Sequence, residues 1–173
     1  MPQRRVCVIG LDGVPPALLL DRYWSKLPTF QKLVKHGFAQ EIRSCDPPIT
    51  VPAWQVMMTG HDPGELGLYG FRDRADSSYG NRRLASSVAH DVPRIWDKLG
   101  HHGLRSRILG VVPTYPAQPL EGCMVSGCLT PPDGEHWAYP PAMKGELEST
   151  FGPMCFDVEG FRHMPKPDLY RSI

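Results

Sequence analysis

Val6-Cys7-Val8-Ile9-Gly10-Leu11-Asp12-Gly13 is the stretch on which the reading of the fold turns. Val6 to Gly10 is a continuous apolar, β-branched run, and it predicts a strand buried on both faces, as in a parallel sheet. Cys7, inside that run, reads as a buried thiol. Asp12-Gly13 follows at once. A carboxylate at the carboxyl end of the first parallel strand stands where open α/β sheets place their ligands. A cation held there needs an anionic oxygen donor. The same aspartate can instead form a turn with Gly13 or cap the next helix.

Working outward, Ala17 to Trp24 has helical spacing, with Pro15 or Pro16 suited to a first turn. Pro28 to His36 predicts a helix with Phe30, Leu33 and Val34 as its apolar stripe and Gly37 as its stop. Phe38 to Arg43 alternates like a strand. Cys45 to Pro48 is a loop, and Pro52 to Thr59 is a short helix closed by Gly60. Pro63 to about Asp91 reads mostly as loop, rich in Gly, Asp, Ser and Arg. A helix follows over Pro93 to Leu99, then buried strands over Ser106 to Val112 and Met124 to Ser126, and a helix over Pro140 to Thr150. This alternation predicts an α/β fold with a mainly parallel sheet flanked by helices. There is no internal repeat and no low-complexity tract.

The chain has 173 residues, enough for a core of its own. With 19 basic and 18 acidic residues its net charge is +1. Neither a nucleic-acid polymer nor an anionic membrane is expected as partner on that balance. A small phosphorylated substrate needs only local charge and stays open. The five cysteines are odd in number and include no CxxC pair, which points to a reducing compartment and a cytoplasmic location. The run Val6 to Leu11 is too short for the apolar part of a secretory leader or for a membrane span.

Thr50 lies just ahead of a proline-led helix, in Ile49-Thr50-Val51-Pro52-Ala53-Trp54. Its hydroxyl would face open backbone N–H groups and the positive end of the helix dipole, a natural seat for a phosphate. A threonine hydroxyl attacks poorly until a base or a metal lowers its pKa. Zinc takes the pKa of a bound water from ~15.7 to about 7, so metal ligation suffices. The competing role for Thr50 is that of an N-cap.

Three stretches together resemble a known family: Val8-Ile9-Gly10-Leu11-Asp12-Gly13, Pro47-Pro48-Ile49-Thr50-Val51-Pro52-Ala53-Trp54, and Met58-Thr59-Gly60-His61-Asp62-Pro63-Gly64-Glu65-Leu66-Gly67. They are similar to the type I phosphodiesterase/nucleotide pyrophosphatase branch of the alkaline phosphatase superfamily, and within it to its predicted phosphohydrolase/phosphomutase group. Ile95 to Gly100, Pro113 to Pro116 and Met124 to Gly127 fit the same pattern. The resemblance implies an alkaline-phosphatase-like fold and two divalent metal ions, zinc or manganese. It implies that Asp12 ligates one ion and that Thr50 is both nucleophile and ligand of that ion. The implied reaction is in-line attack on phosphorus, giving a phosphothreonine that water then hydrolyses.

The family's remaining Asp and His ligands lie further along a longer chain. Residues 1–173 are therefore expected to form the amino-terminal part of one catalytic domain, incomplete and of little activity alone. Two positions depart from the family pattern. Phe71 stands where nucleotide pyrophosphatases carry an asparagine on the phosphoryl group, and Leu66 where they carry a histidine. Arg72 is the candidate replacement for the lost phosphate contact, since guanidinium binds phosphate oxygens well. Arg74, Arg82 and Arg83 are the alternatives for that contact, and at least three of the four arginines read as parts of a solvated loop. Asp133-Gly134-Glu135-His136 suits a loop leading into a helix better than a metal site, and His101-His102 suits a helix end. The reading from another class is a non-catalytic α/β module binding a phosphorylated ligand or a protein partner. A Rossmann-like nucleotide binder is disfavoured, because Gly10-Leu11-Asp12-Gly13 lacks the glycine spacing that cradles a pyrophosphate.

Overall fold

The structure, a computed structural model, describes residues 5–78 and 80–156. The chain divides between Ser44 and Cys45 into two compact units.

In the first unit a π-helical segment, Ala17–Arg22, and a 3-10 turn, Trp24–Lys26, lead into helix α1, Pro28–His36. Proline sits in the first turn of α1, where its missing N–H costs nothing, and Gly37 closes it, as its punctuation predicts. Gln31 Nε2 ties α1 back to the Trp24 carbonyl at 2.6 Å. The expected strand at Val6 to Gly10 does not form, and neither does the one at Phe38 to Arg43. Val6 is 87% exposed, and Phe38 and Ile42 are 84% and 87% exposed. Cys7 is exposed rather than a buried thiol. The physical reason is that an extended apolar run becomes a strand only when neighbours take its N–H and C=O groups and cover its faces. Among the described residues no strand pairs with either run.

The second unit holds the remaining elements. Helix α2 is Thr50–Thr59, helix α3 is Pro63–Leu66, and strands β1, Arg72–Arg74, and β2, Arg82–Leu84, form an antiparallel ribbon. Helix α4, Ile95–His101, precedes strands β3, Ser106–Leu109, and β4, Gly122–Val125. Strand β5, Ala138–Tyr139, and helix α5, Ala142–Phe151, complete the order. β3 and β4 pair in parallel and β4 and β5 antiparallel, in the order β3-β4-β5. The three-stranded sheet is thus mixed, and a mainly parallel sheet is not found among the described residues. Strand β5 escapes sequence reading because two residues carry no period.

Two apolar clusters support these elements. Val51, Leu66, Leu68, Ala85 and Val112 join α2, α3 and the loops around the ribbon into one. Val125, Trp137 and Ala138 form the other, under Met143 and Leu147 of α5. Trp137 meets Phe156 edge to face at 5.3 Å between ring centroids. Beyond the carboxyl ends of β3 and β4 the loops are tied together. Thr114 Oγ1 donates to the Val111 carbonyl and accepts from Gly127 N–H, and Ser126 Oγ donates to the Thr114 carbonyl.

Gly122 opens β4 with φ +134°, and a Cβ there would run into the Ser106 backbone. Gly145, in α5, faces open space. Gly122→Ala is expected to cost about 3 kcal/mol or more. Gly145→Ala is expected to stabilise by about 0.5–1 kcal/mol. Urea unfolding of the two variants checks both signs.

Candidate active site

Thr50 opens α2. Ile49, extended at φ −110° and ψ 148°, is the N-cap, and no side chain caps the helix. The helix therefore begins two residues earlier than the proline suggested, and Thr50 occupies its first turn rather than the cap position. Pro52 falls in that same turn, where helices tolerate it. The buried face of α2 is Val51, Pro52, Gln55 and Thr59, and Gly60 closes the helix in the left-handed region at φ +79°.

The stripe Val51, Gln55, Thr59 places an amide in the core. Gln55 is fully buried, and its side chain joins α2 to two distant segments. Nε2 donates to the Val112 carbonyl at 3.0 Å, and Oε1 accepts from Arg94 Nε at 3.0 Å. His90 Nε2 lies 3.1 Å from the same oxygen, which requires the hydrogen on Nε2. Arg94 Nη2 donates to the Ser87 carbonyl at 2.7 Å, and Asp97 accepts from the Arg94 backbone N–H at 2.8 Å. His90 Nδ1 is left buried with no hydrogen bond. Burial holds the His90 imidazole below its usual pKa, and the Arg94 charge lowers it further; the Val92 backbone and Asp91 oppose them, and His61 adds a small lowering. Burial likewise lowers the pKa of Arg94, against Asp97. The meeting of these three residues escaped sequence reading, although a glutamine on the same helical face as Val51 and Pro52 was the available signal.

The stretch Met58 to Gly67, which carries part of the family resemblance, does structural work with its polar groups. Asp62 Oδ1 accepts from the N–H groups of Gly64 and Glu65, and Glu65 Oε2 accepts from Asp62 N–H, a complete capping box for α3. His61 Nδ1 lies 3.1 Å from the same Glu65 oxygen. Leu66, the position where a histidine was expected, packs in the core.

Arg72 begins β1 and is exposed. The predicted solvated loop around it is a ribbon with the register Arg72↔Leu84, Asp73↔Arg83, Arg74↔Arg82. At its tip Asp76 accepts from Ser78 N–H at 2.7 Å and Asn81 Nδ2 at 2.8 Å; its bonds to Ser78 and Asn81 lower its pKa and keep it ionised. The sequence missed this ribbon because arginine and aspartate alternate without an apolar face.

Asp12 lies in an exposed turn with Gly13, whose φ is +64°. This is the turn alternative, with no paired strand ahead of it. Asp12 belongs to the first unit; Thr50 and Arg72 belong to the second. Among the described residues no three His, Cys, Asp or Glu side chains form a group able to hold a metal ion. Asp12 and Thr50 supply one carboxylate and one hydroxyl, short of the three or four protein ligands zinc takes. Asp133, Glu135 and His136 are exposed in the loop before β5, where the His136 carbonyl accepts from Ala117 N–H. His101 and His102 end α4. No described helix is long and apolar enough to cross a membrane.

A family model described as type I phosphodiesterase / nucleotide pyrophosphatase matches residues 6–166. No curated protein and no solved structure matches the chain significantly.

Gln55→Ala strands the Arg94 guanidinium and the Val112 carbonyl and is expected to cost about 2–4 kcal/mol, read from chemical denaturation. His90 gives a pH signature. Its folded pKa lies below the unfolded value of 6.5, so the unfolded chain binds more protons in between. Stability is fully present above 6.5 and is lost as pH falls toward the folded pKa. Melting temperatures across that range should fall more steeply for the natural chain than for His90→Gln; equal slopes would refute the assignment.

Proposed function

The chain belongs to the type I phosphodiesterase/nucleotide pyrophosphatase family, and from that premise we propose that it hydrolyses a phosphate ester or phosphodiester through a phosphothreonine at Thr50. The family is one of phosphodiester and pyrophosphate hydrolases. The finer reading puts residues 1–173 in the amino-terminal part of an alkaline-phosphatase-like catalytic domain with a mainly parallel sheet.

The observation that carries the reading is the place of Thr50. It heads a ten-residue helix whose start no side chain caps. A phosphoryl group there meets the positive end of the helix dipole. The Thr50 hydroxyl would form the O–P bond as the ester oxygen departs with a proton. Water would then add to phosphorus, release phosphate or a phosphomonoester, and restore the hydroxyl. Val51 and Pro52, buried directly behind Thr50, and the Gln55 amide anchor the helix against movement during attack.

Asp12 and Thr50 are the proposed protein ligands of one divalent cation, zinc or manganese, in a two-ion centre. Such an ion, when bound, would supply the charge that lowers the hydroxyl pKa. The described residues do not complete that centre. Arg72 is the proposed contact for a phosphate oxygen of a small phosphorylated substrate. Neither a nucleic-acid polymer nor a membrane is proposed as partner, on the net charge of +1. The odd count of five cysteines, with no CxxC pair, supports a reducing, cytoplasmic setting.

In a longer protein that carries residues 1–173 and completes the metal centre, with a chromogenic phosphodiester in zinc or manganese, Thr50→Ala is expected to lower hydrolysis roughly 10³-fold or more in protein that still melts cooperatively, and residues 1–173 alone are expected to turn over little. Thr50→Ser keeps the oxygen and should keep part of the rate. Unchanged turnover in Thr50→Ala sinks the nucleophile assignment.

A further inference from the structure

The Arg94 guanidinium is more than nine-tenths buried, at 8% exposure. Its Nε and Nη2 donate to neutral acceptors, the Gln55 amide oxygen and the Ser87 carbonyl. Among the described residues Nη1 makes no hydrogen bond, yet it is not among the buried polar atoms without a partner. It therefore reaches an accessible surface. Arg94 forms no ion pair among the described residues. Asp97 is the nearby charge that opposes its desolvation, but it stands outside ion-pair distance, and a buried cation without a close counter-ion is costly.

Arg94 lines a cavity of about 200 Å³ together with Ser87, His90, Asp91, Asp97 and Gln118. Its polar inventory is uneven. Gln118 Nε2 is spent on Ser87 Oγ and the Pro116 carbonyl, which leaves the amide oxygen to accept. One Asp97 oxygen accepts from Arg94 N–H, and the other has no hydrogen bond among the described residues. The Asp91 carboxylate is exposed. Ser87 Oγ donates to the Pro116 carbonyl at 2.6 Å. The lining thus offers one strong cationic donor, the Arg94 guanidinium, beside acceptors and two negative charges.

A simple anion would answer Arg94 and be repelled by Asp91 and Asp97. A simple cation would do the reverse. We propose that this cavity binds a small zwitterion carrying a carboxylate and an ammonium group, of the size of an α-amino acid. The carboxylate pairs with Arg94 as an anion–guanidinium contact, and the ammonium lies toward Asp91, Asp97 and the Gln118 oxygen. The volume, below the ~300 Å³ at which drug-sized sites begin, suits a ligand of few heavy atoms. The site stands apart from Thr50 chemistry and does not depend on the hydrolase reading.

The test is calorimetric titration of the full chain with L-alanine, acetate and ethylamine at matched ionic strength. L-alanine should bind at millimolar or lower concentration, and acetate and ethylamine at least about tenfold more weakly. Asp91→Asn, an exposed change that leaves folding alone, should weaken L-alanine about tenfold and leave acetate unchanged or tighter. Arg94→Lys, checked for folding by its melting curve, should weaken both L-alanine and acetate. Acetate binding as well as L-alanine overturns the proposal in favour of a plain oxyanion site. No heat with L-alanine, or an Asp91→Asn variant that binds it as the natural chain does, overturns it outright.

Discussion

Gln55 Oε1 sits between two donors, Arg94 Nε and His90 Nε2, while its own Nε2 reaches the Val112 carbonyl. One amide thereby joins α2, the segment ahead of α4, and the loop beyond β3. Each of these groups would cost free energy if buried alone, and together they satisfy one another. The apolar cluster of Val51, Leu66, Leu68, Ala85 and Val112 packs the same segments. Burial supplies the driving force there, and the amide sets the register in which the pieces meet. Thr50 inherits its position from this arrangement, since it lies one residue before Val51 and five before Gln55.

The residues that carry the family resemblance divide between two kinds of work. His61, Asp62, Glu65 and Gly67 hold the short turn of α3 in place, through a capping box, a side-chain pair and a left-handed glycine. Thr50 lies one step inside α2, since Ile49 occupies the cap position. Leu66, read as a departure from the family pattern, belongs to the core and could not serve as a polar contact there.

The first unit shows the converse. Val6, Val8 and Ile9, with Phe38 and Ile42 further on, have the composition of buried strands and stand exposed. Apolar sequence supplies only the gain from burial; the backbone groups of a strand still need partners. The second unit meets that condition once in parallel, where β3 lies beside β4, and the loops beyond that pair are bound by the hydroxyls of Thr114 and Ser126.

Local chemistry was enough for much of this chain. Pro28 and Gly37 bound α1, Gly60 stops α2, and the apolar runs around Ile108 and Met124 become strands, because caps, breakers and β-branched runs act over a few residues. The family, too, is legible in the order of three short motifs. Tertiary structure decided what depends on partners distant in the chain: that the Val6 run stays unpaired, that the arginine-rich loop closes as a ribbon, and that Gln55, His90 and Arg94 meet. A hydrogen bond across 35 or 39 residues leaves no period in the sequence. Whether an apolar run becomes a strand is settled by what lies beside it.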